Sequence, residues 1–296
     1  MTKTILITGA AGQLGGRIVH HLLETRGYPA ERLVVTTRDP AKLADLSAKG
    51  VTIRVANFDE EASLVSAFEG ADRVLLISTD ALNEPGKRLR QHAAAVAAAV
   101  VAGVSQIAYT SMPKPDPGNP VLFAPDHHGT EQVIKATGLP YTIFRNGWYQ
   151  ENLFMALPQA LKTGRWYSSA GEGRTAYVSR DDIACAIAGA LASAVDQSVT
   201  YTLTGAEALT NAEIAALTSE VTGKPIEVVN LSDEALTEGM KVAGVPEAIV
   251  PLLISFNANT RGGGFAEVTG DVKKLSGTTP QLLTAFLKAN KAALLG

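Results

Sequence analysis

Cysteine is almost absent from this chain of 296 residues: Cys185 stands alone. No intramolecular disulfide can staple the fold and no thiolate cluster can hold zinc, and a reducing compartment suits such a chain. Charge of one sign is also in short supply. Lys and Arg number 26 against 29 Asp and Glu, a formal net charge of −3 with no basic face in view, which argues against a direct nucleic-acid binder. Long apolar runs are missing too. The longest, residues 93–104, is alanine-rich and only 12 residues long, short of the ~20 that cross a bilayer. The N-terminus enters a glycine-rich turn instead of an apolar signal segment. The 5 histidines show no ligand spacing, so no metal site is expected. What remains is a small-molecule protein, expected to be cytoplasmic, without a membrane partner, and long enough for a sizeable core.

What is present is a rhythm. Short β-branched runs at residues 4–8, 33–37, 52–56, 73–77, 106–110 and 141–144 alternate with amphipathic stretches at 13–25, 40–49, 61–68, 87–102 and 125–136. Such alternation builds βαβ units around a parallel sheet. Gly27, Gly50, Gly70, Gly103 and Gly138 fall where helices close with a left-handed residue. After Phe144 the rhythm breaks. A helix is expected at 151–162, a strand pair at 165–168 and 175–178, a helix at 181–192 and a strand at 200–203. Helices at 211–222, 232–243, 247–257 and 280–294, with one strand at 226–229, complete the chain, and T-N-A-E from Thr210 is a capping box. The fold class expected is α/β: a doubly wound parallel sheet with a smaller, mostly helical C-terminal lobe. Residues 1–150 form the dinucleotide-binding domain, with segments at about 175–205 returning to it, and residues 151–296 form the discontinuous lobe. The proline-dense stretch 112–122 is expected to be a mobile flap, and the alanine-rich helix a packing face or dimer seam.

The first strand runs into Gly9-Ala10-Ala11-Gly12-Gln13-Leu14-Gly15-Gly16 and then a helix. In that context Gly9 permits the turn, Gly12 lets the backbone approach a pyrophosphate, and Gly15 lets the helix pack close to the strand. The second strand ends in Thr37-Arg38 with no acid on it, and Arg38 lies 23 positions after Gly15. A guanidinium there pairs with a 2′-phosphate, Lys42 adds charge, and NADP(H) is favoured over NAD(H). Two alternatives stand beside this: Asp39 holds Arg38, or Asp39 itself reaches the ribose. Asn57, Phe58 and Asp59 are placed to border the adenine, and Asp59 is also a candidate helix cap.

These motifs resemble the NmrA-like branch of the atypical short-chain dehydrogenase/reductases. The resemblance rests on T-G-A-A-G-Q-L-G-G from Thr8, T-R-D-P-A-K from Thr37, N-F-D from Asn57 and L-P-Y-T-I-F-R-N-G-W-Y-Q-E-N from Leu139. It is strongest toward members that reduce quinones and triphenylmethane dyes with NADPH. It implies a pyrophosphate turn at Gly9 to Leu14, Arg38 as phosphate partner, ribose and nicotinamide contacts at Ile77, Ser78 and Thr79, and a nicotinamide rim at Phe144, Arg145, Asn146 and Gly147.

One departure from the wider superfamily matters. Counted back from Glu131, the usual catalytic Tyr and Lys positions hold Phe123 and His127. Either the chain does no chemistry and acts as a redox-sensing regulator, or its acceptor needs little acid help, as a quinone does; the second is preferred. His127 and Tyr149 are the candidate catalytic residues. A histidine at a helix start is expected to be neutral. Thr110, Ser111, Trp148 and Tyr149 are candidate substrate contacts, although strand-end hydroxyls also cap backbone and aromatics also pack lobe interfaces. The expected partner is a quinone-like small molecule, and the expected assembly a monomer or homodimer.

Overall fold

The structure, a computed structural model, describes residues 2–82, 84–193 and 197–296. Six strands of the first half, β1 (Ile5–Ile7), β2 (Leu33–Thr37), β3 (Thr52–Val55), β4 (Arg73–Leu76), β5 (Gln106–Ser111) and β6 (Tyr141–Asn146), lie parallel. The intervening helices are α1 (Gln13–His20), α2 (Ala44–Ala48), α3 (Glu61–Phe68), α4 (Lys87–Val101) and α5 (Ala124–Ala136). Strand order is β3-β2-β1-β4-β5-β6-β9, the last being Val199–Leu203. This is a Rossmann-type doubly wound sheet. The chain winds outward from β1 and then returns past it to β4, opening a crevice at the carboxyl ends of those two strands.

Burial on both faces explains the apolar runs. Ile5, Ile7, Leu33, Val35 and Leu75 point into one core layer, and Leu6, Val34, Val74 and Leu76 into the other. Each such side chain contributes about 1.5–3 kcal/mol on leaving water. The first layer is closed by α1 and α7 (Arg180–Ala192), the second by α3, α4 and α5. The alanine-rich face of α4 lets it approach closely: Ala95, Ala98 and Ala99 are buried there, whereas Val101 is exposed.

The second half adds α6 (Leu157–Thr163), β7 (Arg165–Ser168), β8 (Arg174–Thr175), β10 (Leu209–Thr210), α8 (Asn211–Thr222), β11 (Glu227–Asn230), α9 (Asp233–Val242), α10 (Val250–Arg261), α11 (Asp271–Ser276), α12 (Leu283–Ala289) and α13 (Lys291–Leu295). Leu153, Leu157, Leu161, Ile214, Phe286 and Leu287 form its separate apolar cluster. The expected pairing of 165–168 with 175–178 is not what forms: β7 pairs with β11 and β8 with β10. Between them Gly173 packs so tightly on α10 that a Cβ would collide with the Thr260 carbonyl. Residue Val178 instead bridges Tyr149.

Several helices are also shorter or more broken than their patterns suggest. The stretch 13–25 is α-helical only to His20 and then closes as a π-helical turn, His21–Thr25. A 3-10 turn, Pro40–Leu43, precedes α2 because Asp39 caps the Ala41 amide. Another, Gln150–Met155, precedes α6, and the expected helix at 280–294 divides at Asn290 into α12 and α13. Helix α11 carries no signal in the sequence pattern and packs through Val272 and Leu275 against the α7 layer.

Candidate functional site

The glycine turn has the geometry its spacing implies. Gly9 adopts φ +64, a left-handed conformation, and the Gly12 amide donates back to the Gly9 carbonyl at 2.9 Å. A Cβ on Gly15 would collide with the Gly9 carbonyl and lie 2.9 Å from the Ala10 Cα, so only glycine lets α1 seat this close to β1. Ala10 is buried beneath the turn, Ala11 and Gly12 line the crevice, and Gln13 and Leu14 open α1. The crevice measures about 420 Å³.

On the β2 side its wall holds Arg38, Asp39 and Lys42. The alternative in which Asp39 holds Arg38 is not what forms: the Asp39 carboxylate accepts from the Ala41 amide at 3.2 Å, and its own amide donates to the Thr37 hydroxyl. Arg38 stays exposed and, among the described residues, makes no ion pair. Asn57, Phe58 and Asp59 complete this wall. Asp59 does not cap α3. It accepts from the Gln91 amide at 2.8 Å and pairs with Lys87 at 3.4 Å, and the Gln91 bond holds its pKa below the usual range.

The floor is Ile77, Ser78 and Thr79, following β4. Each backbone amide has a partner supplied by a different element: Thr8 takes Ile77, Thr110 takes Ser78, and His92 takes Thr79 at 3.0 Å. The Thr79 hydroxyl donates to Gln91. His92 is fully buried, and burial lowers its pKa to about 3. Its Nδ1 lies 2.9 Å from the Thr130 hydroxyl, whose hydrogen is already given to the Asp126 carbonyl. Nδ1 therefore carries the proton and Nε2 accepts. Behind this, the Tyr109 hydroxyl bonds His127 at 2.8 Å. His127 is 3% exposed and outside the crevice lining. Burial, more than its place at a helix start, pushes its pKa well below 6.5, with Arg88 and His92 adding to the effect.

At the far end, over β5 and β6, the candidate polar side chains are mostly engaged. Ser111 donates to buried Glu131 at 2.7 Å, and Arg145 forks onto both oxygens of the same carboxylate at 3.0 and 2.8 Å. Burial raises the Glu131 pKa, but these hydrogen bonds outweigh it and hold the group below its usual value. Phe144 is fully buried and stacks on Tyr201 within the core. Gly147 donates to the Leu203 carbonyl of β9 at 2.7 Å and has no room for a Cβ there. Asn146 is different: its Oδ1 is buried with no hydrogen-bond partner. Trp148 and Tyr149 follow, fixed by the parallel bridge to Val178. Arg180 lies 4.4 Å from the Tyr149 ring centroid, and burial raises the phenol's pKa.

Three residues of this end escape the sequence reading. Phe256 of α10 and Phe265 flank Trp148 at ring separations of 4.5 and 4.9 Å, and Phe123 meets Phe256 at 5.8 Å. Aromatic residues make up 6% of the chain, so two phenylalanines on either side of the Gly262-Gly263-Gly264 run were a usable signal. Arg88 of α4 stands with its guanidinium 5.2 Å from the Phe123 ring centroid and only 6% of the residue exposed. It had no sequence signal, because it sits in a charged stretch that reads as solvated. The stretch 112–122, expected as a flap, buries Met112 and Val121 against Phe265. Among the described residues no group of acids, histidines or cysteines is arranged to hold a metal, and no helix is long and apolar enough to cross a membrane.

Comparison with known proteins gives the same shape. The chain is 37% identical over 273 residues to quinone oxidoreductase 2 of Escherichia coli strain K12, covering 92% of this chain and 93% of that protein. An E. coli NADPH-dependent quinone oxidoreductase solved with NADPH superposes with TM-score 0.90 at 35% identity, covering 96% of this chain and 99% of that one. The Citrobacter sp. triphenylmethane reductase complexed with NADP(H) superposes with TM-score 0.88 at 31% identity, covering 97% and 99%. The model of the NmrA-like family matches residues 1–275. With a glycine turn, sheet order and strand-six segment all of that pattern, the chain belongs to the NmrA-like family.

Proposed function

We propose that the protein is an NADPH-dependent oxidoreductase that passes a hydride to a quinone or a similarly flat, conjugated acceptor. The observation that carries this is a crevice in which an unpaired Arg38 stands beside the glycine turn and the floor of Ile77, Ser78 and Thr79; an aromatic cluster of Phe123, Trp148 and Phe256, beyond β5 and β6 and outside that lining, supplies flat surfaces for an acceptor. The relatives named above, which bear the names of quinone and dye reductases and were solved with NADPH or NADP(H), support it.

The residues present fit that cofactor. Gly9 to Leu14 leave free backbone and helix N-terminal amides for a pyrophosphate. Arg38, with Lys42, offers a fork to a 2′-phosphate. Asn57, Phe58 and Asp59 border the adenine, and Ile77, Ser78 and Thr79 carry the ribose toward Asn146 and Gly147. When bound, the reduced nicotinamide supplies the hydride. The chain's part is orientation: the rings stack on a flat acceptor and exclude water beside it. His127 is a member of the buried brace behind Thr79, not a proton donor to the acceptor. Thr110 and Ser111 spend their hydroxyls inside the protein. Tyr149, whose pKa burial raises, stays a neutral phenol under Arg180, outside the crevice lining. With Phe123 at the position where classical short-chain dehydrogenases keep their proton-donating tyrosine, the acceptor must bring its own driving force. Residues 151–296 then act as the lobe that closes the acceptor end, and 1–150 with the returning segments as the cofactor domain.

The test is NADPH oxidation by the pure protein against benzoquinones, naphthoquinones, triphenylmethane dyes and unactivated ketones, with NADPH and NADH titrated by fluorescence. Quinones and dyes should be reduced and ketones not. NADPH should bind at least ~10-fold tighter than NADH, a preference that Arg38→Ala abolishes. NADPH binding with no turnover of any acceptor would point instead to a redox-sensing role.

A further inference from the structure

Arg88 breaks three rules at once. It is the second residue of α4, at the positive end of a 15-residue helix where a cation is disfavoured. It is 94% removed from solvent by the complement of its 6% exposure, where an unpaired charge is costly. And it has no counter-charge in contact: its Nε is buried without a hydrogen-bond partner, and among the described residues it forms no ion pair. Asp80 and Asp126 act on it only at Coulombic range, and burial depresses its pKa. A protein keeps such a group where something else supplies the missing partner.

Its surroundings say where that partner sits. The guanidinium lies against Phe123, which belongs to the aromatic wall, and within electrostatic reach of Tyr149. Gln91 and His92, three and four residues further along α4, brace Thr79 on the crevice floor. Arg88 is thus one helical turn beyond the floor, on the face that looks toward the acceptor end. Asn146 and Gln150, on either side of the Trp148–Tyr149 pair, also leave buried side-chain oxygens, Oδ1 and Oε1, without a hydrogen-bond partner.

Building on the proposed hydride transfer, we propose that Arg88 is the cation that receives the acceptor's oxygen and stabilises the negative charge that develops on it. The acceptor gains one hydrogen nucleus and two electrons as the C–H bond at the nicotinamide breaks. The nicotinamide ring is oxidised, and the quinone becomes a hydroquinone monoanion until a solvent proton neutralises its oxygen. A fixed guanidinium in a dry site matches that anion, not the neutral ground state. This gives the protein an electrostatic substitute for the acid that Phe123 and His127 do not provide. It also sets specificity: acceptors that end as oxyanions benefit from Arg88, whereas a cationic triphenylmethane dye, neutralised at carbon by the hydride, does not.

The experiment compares wild type with Arg88→Met and Arg88→Lys. Arg88→Met should lower kcat/KM for benzoquinones and naphthoquinones roughly 10²–10³-fold, as loss of an oxyanion donor does, with NADPH affinity and thermal midpoint preserved. Turnover of a cationic triphenylmethane dye should be kept or raised, and Arg88→Lys should restore part of the quinone rate. A second arm needs no turnover. The anion of 2-hydroxy-1,4-naphthoquinone, titrated calorimetrically into the NADP⁺-loaded protein, should bind Arg88→Met ~10-fold or more weakly than wild type. Equal losses with dyes and quinones, a lost NADPH affinity, or unchanged naphtholate binding would each overturn the assignment. A wild type that reduces no acceptor sinks the proposed reaction, and the naphtholate arm then still decides Arg88: selective loss of binding keeps it as the anion partner, and no wild-type binding removes it.

Discussion

His92 is neutral in this fold because both of its ring nitrogens are spoken for, one accepting from the Thr79 amide and the other donating to Thr130. A proton on Nε2 would break the bond to Thr79 and place a charge beside buried Arg88. Burial lowers the pKa of His92 to about 3 and holds that of His127 well below its ordinary value, which makes the stability of the fold sensitive to acid. Below their ordinary 6.5 the unfolded chain takes up protons that the folded core refuses, so stability is full above that pH and falls as pH drops. Each histidine contributes about 1.4 kcal/mol per pH unit on that slope. Glu131 joins only below its ordinary 4.5, and in the same direction. Urea midpoints taken between those two pH values should therefore drop steeply, and His127→Phe should remove about half of the slope. A wild type whose stability is flat over that interval would show that one or both rings are already charged in the native state.

At the scale of the element, α1 and its turn are specified residue by residue. Gly15 and Gly16 are neighbours in sequence, yet only the first faces β1. Gly15→Ala should cost about 1–3 kcal/mol through overpacking, and should weaken NADPH because the turn must open. Gly16→Ala meets the Ala10 carbonyl at an ordinary 3.4 Å and should be neutral or stabilising by up to ~1 kcal/mol, since alanine is the better helix former. Chemical denaturation and a cofactor titration on the pair decide it. Similar behaviour of the two variants would mean that helix propensity, not close approach, governs the turn. Helix α4 works the same way along one face: Arg88, Gln91 and His92 recur at spacings of three and four, so that Gln91 and His92 hold Thr79 while Arg88 lies against Phe123.

The molecule as a whole is closed beyond β5 and β6 by segments far apart in the chain. Met112 and Val121 from the β5–α5 connection, Ala124 at the start of α5, Trp148 after β6, and Phe256 and Phe265 from the last third form one apolar cluster. The Ala176 amide, donating to the Phe265 carbonyl at 2.8 Å, ties that last third to the returning segment. Phe256 is only half-buried, so Phe256→Leu should leave the fold intact. It should raise KM for flat acceptors several-fold, in line with the ~0.5–1.5 kcal/mol of an aromatic pair, while kcat and NADPH affinity hold. Steady-state kinetics over a quinone series checks this, and a fall in NADPH affinity would show that the cluster shapes the cofactor site instead.

The parallel sheet, its helices and the cofactor turn were legible in the sequence because their signals are local. A strand buried on both faces must be apolar throughout, a helix must end where Gly27 or Gly103 can turn left-handed, and Gly9 and Gly15 mark a positive φ and a close approach. The place of Arg38 at a strand end was legible too, and it does stand on the crevice wall; its pairing with a 2′-phosphate is what the cofactor titration decides. The pairing of β7 with β11 and of β8 with β10 was not legible, since short strands in sequence neighbourhood are read as a hairpin by default, whereas these two pair with strands that lie far along the chain. Nor could spacing show that His127 faces Tyr109 inside the protein while Arg88, in a run that reads as solvated charge, is the side chain left without a partner. Those outcomes depend on desolvation, which is set by every element that packs around a group. The sequence by itself determined the sheet and the dinucleotide turn, and the tertiary structure alone decided which charges are buried beside the aromatic cluster beyond β5 and β6.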